Sequence, residues 1–95
     1  MSVPPSDAPS SWEIEYTDEF KAKLRKLTKR DPVLRDAFQK KFRAIVENPT
    51  TMGKRSVKPR DLRHDHVKSH WVIFWRVEGT RITFLDCGHH DEFFR

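Results

Sequence analysis

The run His70-Trp71-Val72-Ile73-Phe74-Trp75-Arg76-Val77-Glu78-Gly79-Thr80-Arg81-Ile82-Thr83-Phe84-Leu85-Asp86-Cys87-Gly88 decides the fold. Its β-branched and aromatic residues suit a pleated, largely buried strand. Gly79-Thr80 divides it as a two-residue turn with glycine first, the type II′ pattern that matches the twist of two antiparallel strands. The expectation is a hairpin, His70 to Glu78 and Arg81 to Cys87, with Gly88 ending the second strand. Such a turn sets Val77 opposite Ile82, Trp75 opposite Phe84, Ile73 opposite Asp86 and Trp71 opposite Gly88. In that register Phe74 with Leu85 and Val72 with Cys87 form a cleanly apolar face for packing on helices. The other face carries Trp71, Trp75 and Asp86, with His90 next in parity, an aromatic and polar surface suited to binding.

Upstream of the hairpin, Arg60 to Val67 reads as a preceding strand, and Thr50 to Pro59 as a loop carrying Lys54, Arg55 and Lys58. Before that loop the period changes to that of helices. Leu34, Ala37, Phe38, Phe42, Ile45 and Val46 form one apolar face, opened by Asp31-Pro32 as cap and first helical residue and closed by Asn48-Pro49. Phe20, Leu24 and Leu27 make the stripe of an earlier helix, capped at Thr17 or Asp18 and ending near Arg30. Lys21, Lys23, Arg25, Lys26, Lys29 and Arg30 cover the rest of it as a solvated basic face. Trp12 to Tyr16 alternates apolar and acidic residues as a half-buried strand. Met1 to Ser11, with three prolines and little apolar content, is expected to be a disordered leader. The order β-α-α-β-β-β over residues 12–95 predicts one α+β domain, a two-helix hairpin on one face of an antiparallel sheet.

The chain has 95 residues, 19 basic against 14 acidic and a net charge of +5, a balance that favours polyanionic partners such as nucleic acid. One cysteine cannot close an internal disulfide, and no apolar run is long enough to span a bilayer, so a cytoplasmic setting without membrane contact is expected. All five histidines lie between His64 and His90.

The element order resembles the RelE/ParE superfamily of bacterial toxins. The likeness runs from about Trp12 to Arg95. It rests on Phe20-x-x-x-Leu24-x-x-Leu27, the Glu47-Asn48-Pro49 helix end, the strand through Trp75-Arg76-Val77, and Gly88-His89-His90-Asp91-Glu92-Phe93-Phe94. Within the superfamily the chain is most similar to the YafQ-like branch. His66-Val67-Lys68-Ser69-His70-Trp71 matches that branch's His-x-x-x-Asp-Trp segment, with His70 in the place of aspartate. Gly88 to Phe94 matches its Gly-x-His-x-x-x-Phe ending. Val72 stands where RelE-type toxins carry an arginine, and the branch's additional loop histidine has no counterpart.

The resemblance implies the toxin of a type II toxin–antitoxin pair, a ribosome-dependent endoribonuclease that cuts mRNA and inhibits translation. Its partners would be a cognate protein antitoxin, the ribosome and mRNA. The implied catalytic residues are His66, His70 and His90. Either of the first two would take a proton from a ribose 2′-hydroxyl, and His90 would protonate the leaving oxygen. Lys54, Arg55, Lys58, Arg60 and Arg63 would contact RNA and supply positive charge, and Trp71 and Phe94 would stack on bases. His64 and His89 are expected to be incidental. No metal or cofactor is required by this chemistry. His64-x-His66 with His70, Cys87, His89 and His90 offers zinc-type donors, but the spacing matches no zinc signature. Cys87 is expected to be buried and inert. The rival implied by the same resemblance is a ParE-like inhibitor of DNA gyrase, and a third possibility is an inactive relative that only binds its antitoxin.

Overall fold

The structure, a computed structural model, describes residues 12–55 and 62–94. The expected leader, Lys58 and Arg60 lie outside them. In chain order the elements are β1 (Glu13–Tyr16), α1 (Asp18–Thr28), α2 (Pro32–Glu47), β2 (Lys54–Arg55), β3 (Leu62–Val67), β4 (Trp71–Glu78), β5 (Arg81–His89) and a single turn, α3 (His90–Phe93). The strands form one sheet in the order β1-β5-β4-β3-β2. This is the predicted α+β arrangement, with two additions the sequence did not announce: the short edge strand β2 and the terminal helix α3.

The helix ends follow their local chemistry. Thr17 accepts a hydrogen bond from the Phe20 amide at 3.0 Å and caps α1. Asp31 accepts from the Leu34 amide at 2.9 Å, and Pro32 opens α2. Phe20, Leu34, Phe38 and Ile45 from the helices meet Val67, Ile73, Trp75, Ile82, Phe84 and Cys87 from the sheet in one buried core. Phe20 and Phe84 stack within it and Tyr16 stacks on both from its edge, with centroids 5.5 to 5.9 Å apart.

The sheet departs from expectation in two respects. It is mixed, since β1 pairs parallel to β5 while the other pairs are antiparallel. As the sheet's edge, β1 is also more exposed than a half-buried strand, and Ile14 and Tyr16 are 38% and 47% exposed.

The hairpin register holds only near its turn. Gly79 takes the positive φ of 59° that a type II′ turn needs. Val77 faces Ile82 and Trp75 faces Phe84 as predicted. The ladder then shifts, so that Phe74 faces Asp86, Ile73 faces Cys87, Val72 faces Gly88 and Trp71 faces His89. Leu85 is the extra residue of a β-bulge. Its carbonyl accepts a hydrogen bond from the Thr17 hydroxyl at 2.9 Å, and the Thr17 amide donates to the Phe84 carbonyl at 3.0 Å.

The face assignment is reversed as well. Ile73, Trp75, Ile82 and Phe84 pack on the helices, whereas Val72 and Phe74 lie on the opposite face. Both faces of β4 are apolar, so alternation alone does not choose between them. Two local contacts do choose. The Trp75 indole N–H donates to the Pro49 carbonyl at 3.0 Å, where α2 ends. Gly53, at φ +70°, lies so close to the Trp75 ring and the His64 carbonyl that a Cβ there would collide with both.

Because Thr17 both caps α1 and holds the bulge, Thr17→Ala should cost about 1–2 kcal/mol. Thr17→Ser should recover most of that loss. Urea unfolding midpoints of the three proteins measure it.

Candidate active site on the open face

The face of the sheet away from α1 and α2 is built from alternate residues of β3 and β4 with the end of β5. His64 pairs with Phe74 and His66 with Val72, so both histidines leave this face. The chain then turns back at His90. The His90 amide donates to the His70 carbonyl at 2.7 Å, which joins the start of α3 to the β3–β4 turn. The single turn of α3 lays Phe93 on Phe74, with centroids 4.7 Å apart. Gly88 makes room for this fold-back, because a Cβ there would strike the Glu92 carboxylate and approach the Phe93 ring to 3.1 Å.

Two stacked pairs of imidazoles result. His66 lies on His90 with centroids 5.4 Å apart and planes 18° apart, and His70 lies on His89 at 5.9 Å and 6°. All four, with Ser69 and Asp91, line a cleft of about 420 Å³. Lys68, just before Ser69 in the tight turn, is held at φ 58°, a conformation rare outside glycine and asparagine. Phe94 closes one side, 4.7 Å from His90 and 5.1 Å from His64, and is 41% exposed.

The expected site residues are only partly brought together. His66, His70, His90 and Phe94 meet at the cleft or its wall. Trp71 does not offer an open stacking face: it packs against the helix-side core and meets His89 edge-on at 5.3 Å. Lys54 stands opposite His64 in the β2–β3 ladder and so shares the open face. Arg55 and Arg63 face each other on the opposite side. There they line a separate cleft with Thr50 and Val77, and the Arg63 Nε donates to the Met52 carbonyl at 3.0 Å. The basic contribution expected from those two arginines is therefore on the other side of the sheet from the histidines.

Three contributors escaped the sequence reading. His64 is part of the wall, its ring packed against both Phe74 and Phe94, which stack on each other at 6.2 Å. Burial first, and then the positive charge of neighbouring His66, hold its pKa below the ordinary histidine value. The His64-x-His66 spacing on one strand was the available signal. His89 is the cap of α3, its Nδ1 accepting from the Asp91 amide at 3.1 Å, which leaves the proton of the neutral ring on Nε2. Asp91 sits 3.7 Å from His90 Nδ1 and 3.8 Å from His89 Nδ1, close enough to pair with either ring when protonated. Cys87 is buried on the helix side, and burial pushes its thiol up to about 12, so it is not a nucleophile. Among the described residues no group of three or more His, Cys, Asp or Glu side chains is placed to hold a metal ion. No helix among them is long and apolar enough to cross a membrane.

The two-helix layer packed on a five-strand mixed sheet is the α+β arrangement of RelE- and YafQ-like toxins. Comparison with known proteins agrees. Residues 14–94 match the family model described as the ParE toxin of the type II toxin–antitoxin system parDE. A Methanocaldococcus jannaschii protein bearing the toxin name RelE4 is 29% identical over 86 residues, covering 88% of this chain and 92% of its own. The E. coli DinJ–YafQ toxin–antitoxin complex contains a chain of similar fold, with TM-score 0.72 and 16% identity over 90% of this chain and 99% of that one. Isolated E. coli RelE matches with TM-score 0.70 and 14% identity over 82% of this chain and 83% of its own. The chain belongs to the RelE/ParE superfamily and is a toxin of a type II toxin–antitoxin system.

The depressed pKa of His64 has a consequence for stability. The unfolded chain takes up this proton first as pH falls below about 6.5. The contribution of His64 is therefore complete above that pH and declines as pH falls towards the lower folded-state value. Urea midpoints at pH 7.5 and pH 5.0 should differ more for the wild type than for His64→Gln.

Proposed function

We propose that this toxin is a ribosome-dependent endoribonuclease that cuts mRNA by histidine acid–base chemistry on the open face. The observation that carries the reading is the pairing of His66 with His90 across the cleft, 5.4 Å between ring centroids. Cleavage by a neighbouring 2′-hydroxyl needs one group to remove its proton and another to protonate the departing 5′-oxygen. Two imidazoles serve both roles near neutral pH without extreme tuning. His66, exposed on β3, is the proposed base, and His90, at the start of α3, the proposed acid. His70 stacks on His89 instead and meets His90 through its backbone carbonyl, so its proposed part is to fix the α3 junction.

Lys54, on the same face, supports the negative charge of the phosphorane, and the exposed Phe94 ring supports stacking on a base. Lys58 and Arg60 remain proposed RNA contacts from the adjoining segment. Arg55 and Arg63 are proposed only as a second basic patch across the sheet, where ribosomal RNA would lie. The net charge of +5 makes any such binding salt-sensitive. The proposed partner in resting cells is a protein antitoxin, supported by the family's toxin–antitoxin character and by the DinJ–YafQ neighbour. The proposed site of action is the cytoplasm, with no membrane partner.

The gyrase-inhibitor reading draws on the ParE name of the family model. It leaves the His66–His90 pair without a task. Primer extension on a message undergoing translation, run beside a gyrase supercoiling assay, separates the two. Wild-type protein should cut at codon-related positions. His66→Ala and His90→Ala should each lose about 10²-fold or more of that activity while melting as the wild type does. Undiminished cutting by both variants removes the proposal, and gyrase inhibition without cuts transfers it to the rival.

A further inference from the structure

The short helix α3 carries His90 and leads into Phe94, yet four residues have no helical stability of their own. Something outside the turn must hold it. Phe93 on Phe74 supplies part of that, but an aromatic contact alone permits the ring to slide. One directional tie, the His90 amide on the His70 carbonyl, holds only the start of the turn, and the ties further along it come from α1. Lys23 was expected to be one more solvated cation on a basic helix. Instead its Nζ lies 3.1 Å from Asp86 Oδ1, 3.4 Å from Glu92 Oε1 and 5.0 Å from the centre of the Phe93 ring. One ammonium thus joins α1, the strand β5 and two consecutive residues of α3.

The surroundings are fitted to this junction. The bulge at Leu85 turns Asp86 to the open face, where Lys23 reaches it past the end of β1. Gly88 leaves the space that the Glu92 carboxylate occupies. The Lys23 side chain is 35% exposed and that of Asp86 28%, so neither is a freely solvated surface charge. Burial draws the Lys23 pKa down, and the hydrogen bond and charge of Asp86, with those of Glu92, more than offset it and leave the ammonium held above the ordinary lysine value. Surface ion pairs are usually worth little for stability. The value of this one is where it acts: it fixes the rotation of a single helical turn whose first residue is His90.

We infer that Lys23 is a positioning residue, whose ammonium clamps Asp86, Glu92 and the Phe93 ring and thereby sets His90 against His66. This rests on the proposed ribonuclease reading for its catalytic consequence, but not for its structural one. Lys23→Met keeps the aliphatic stem and removes the charge, and Lys23→Arg restores it. Lys21→Met, on the same helix and paired with exposed Asp18 at 3.7 Å, is the control for simple loss of charge.

Two measurements on the full chain separate the inference from the reading beneath it. In hydrogen exchange, the Phe94 amide, which donates to the His90 carbonyl, should exchange about tenfold faster in Lys23→Met. Core amides of β4, the Lys21→Met control and Lys23→Arg should stay near wild type. In the cleavage assay, kcat should fall by about tenfold or more with KM little changed in Lys23→Met, and recover in Lys23→Arg. Unchanged Phe94 exchange in Lys23→Met overturns the clamp, whatever the cleavage result. Faster exchange with undiminished cutting overturns the catalytic consequence. Faster exchange in a protein whose wild type does not cut RNA upholds the clamp and overturns the ribonuclease reading instead.

Discussion

One extra residue in β5 decides what the open face receives. Between Phe84 and Cys87 strict alternation would turn Asp86 towards the helices and Cys87 away from them. The bulge at Leu85 lets Phe84 and Cys87 both enter the core and turns Asp86 and Gly88 outward. An aspartate facing the helix-side core would carry a large desolvation cost, so the bulge also resolves a conflict that the sequence itself creates. Thr17 holds the bulge in place while it caps α1, which makes the start of the helical layer and the irregularity of the sheet one structural unit.

Everything on the open face follows from that reversal. Gly88 outward is the gap into which α3 folds, and Asp86 outward is the anchor that Lys23 reaches. His89 then falls on the helix side with Trp71, and His90 begins the turn that brings it over His66. The proposed acid and base come from elements far apart in the chain, β3 and α3. Their approach is set by backbone geometry at Leu85 and Gly88 rather than by any contact between the histidines themselves.

Much of the fold was legible from local chemistry. Asp31-Pro32, Thr17 and Gly79-Thr80 each name a backbone conformation, and each is found as expected. The periodicity of Phe20, Leu24 and Leu27 and of the second helix gave the helical layer. The bulge was not legible, because Leu85 is a normal strand residue and the reason for its irregular place lies in Thr17, 68 positions away. The faces of β4 were not legible either, since Val72, Ile73, Phe74 and Trp75 are all apolar and all buried. Of the proposed site, His66, His90 and Phe94 were singled out by their motifs, and the fold brings them to one cleft and its wall. Arg63, expected as an RNA contact, lies on the face opposite His64 and His66, because one-residue parity on β3 separates them. His64, read as incidental, shares the face of His66, which the His64-x-His66 spacing signalled, but its packing on Phe94 was not legible.

The most direct test of the central proposal is the chemistry of the cut ends of a message cleaved during translation. Attack by the neighbouring 2′-hydroxyl, with His66 and His90 moving the protons, predicts a 2′,3′-cyclic phosphate on the upstream fragment and a free 5′-hydroxyl on the downstream one. Mass spectrometry of the fragments, with a 2′-deoxy substitution at the cut position that should abolish cutting, reads this directly. A 5′-phosphate on the downstream fragment, or undiminished cutting of the 2′-deoxy message, would mean that water and not the ribose attacks, and would contradict the account.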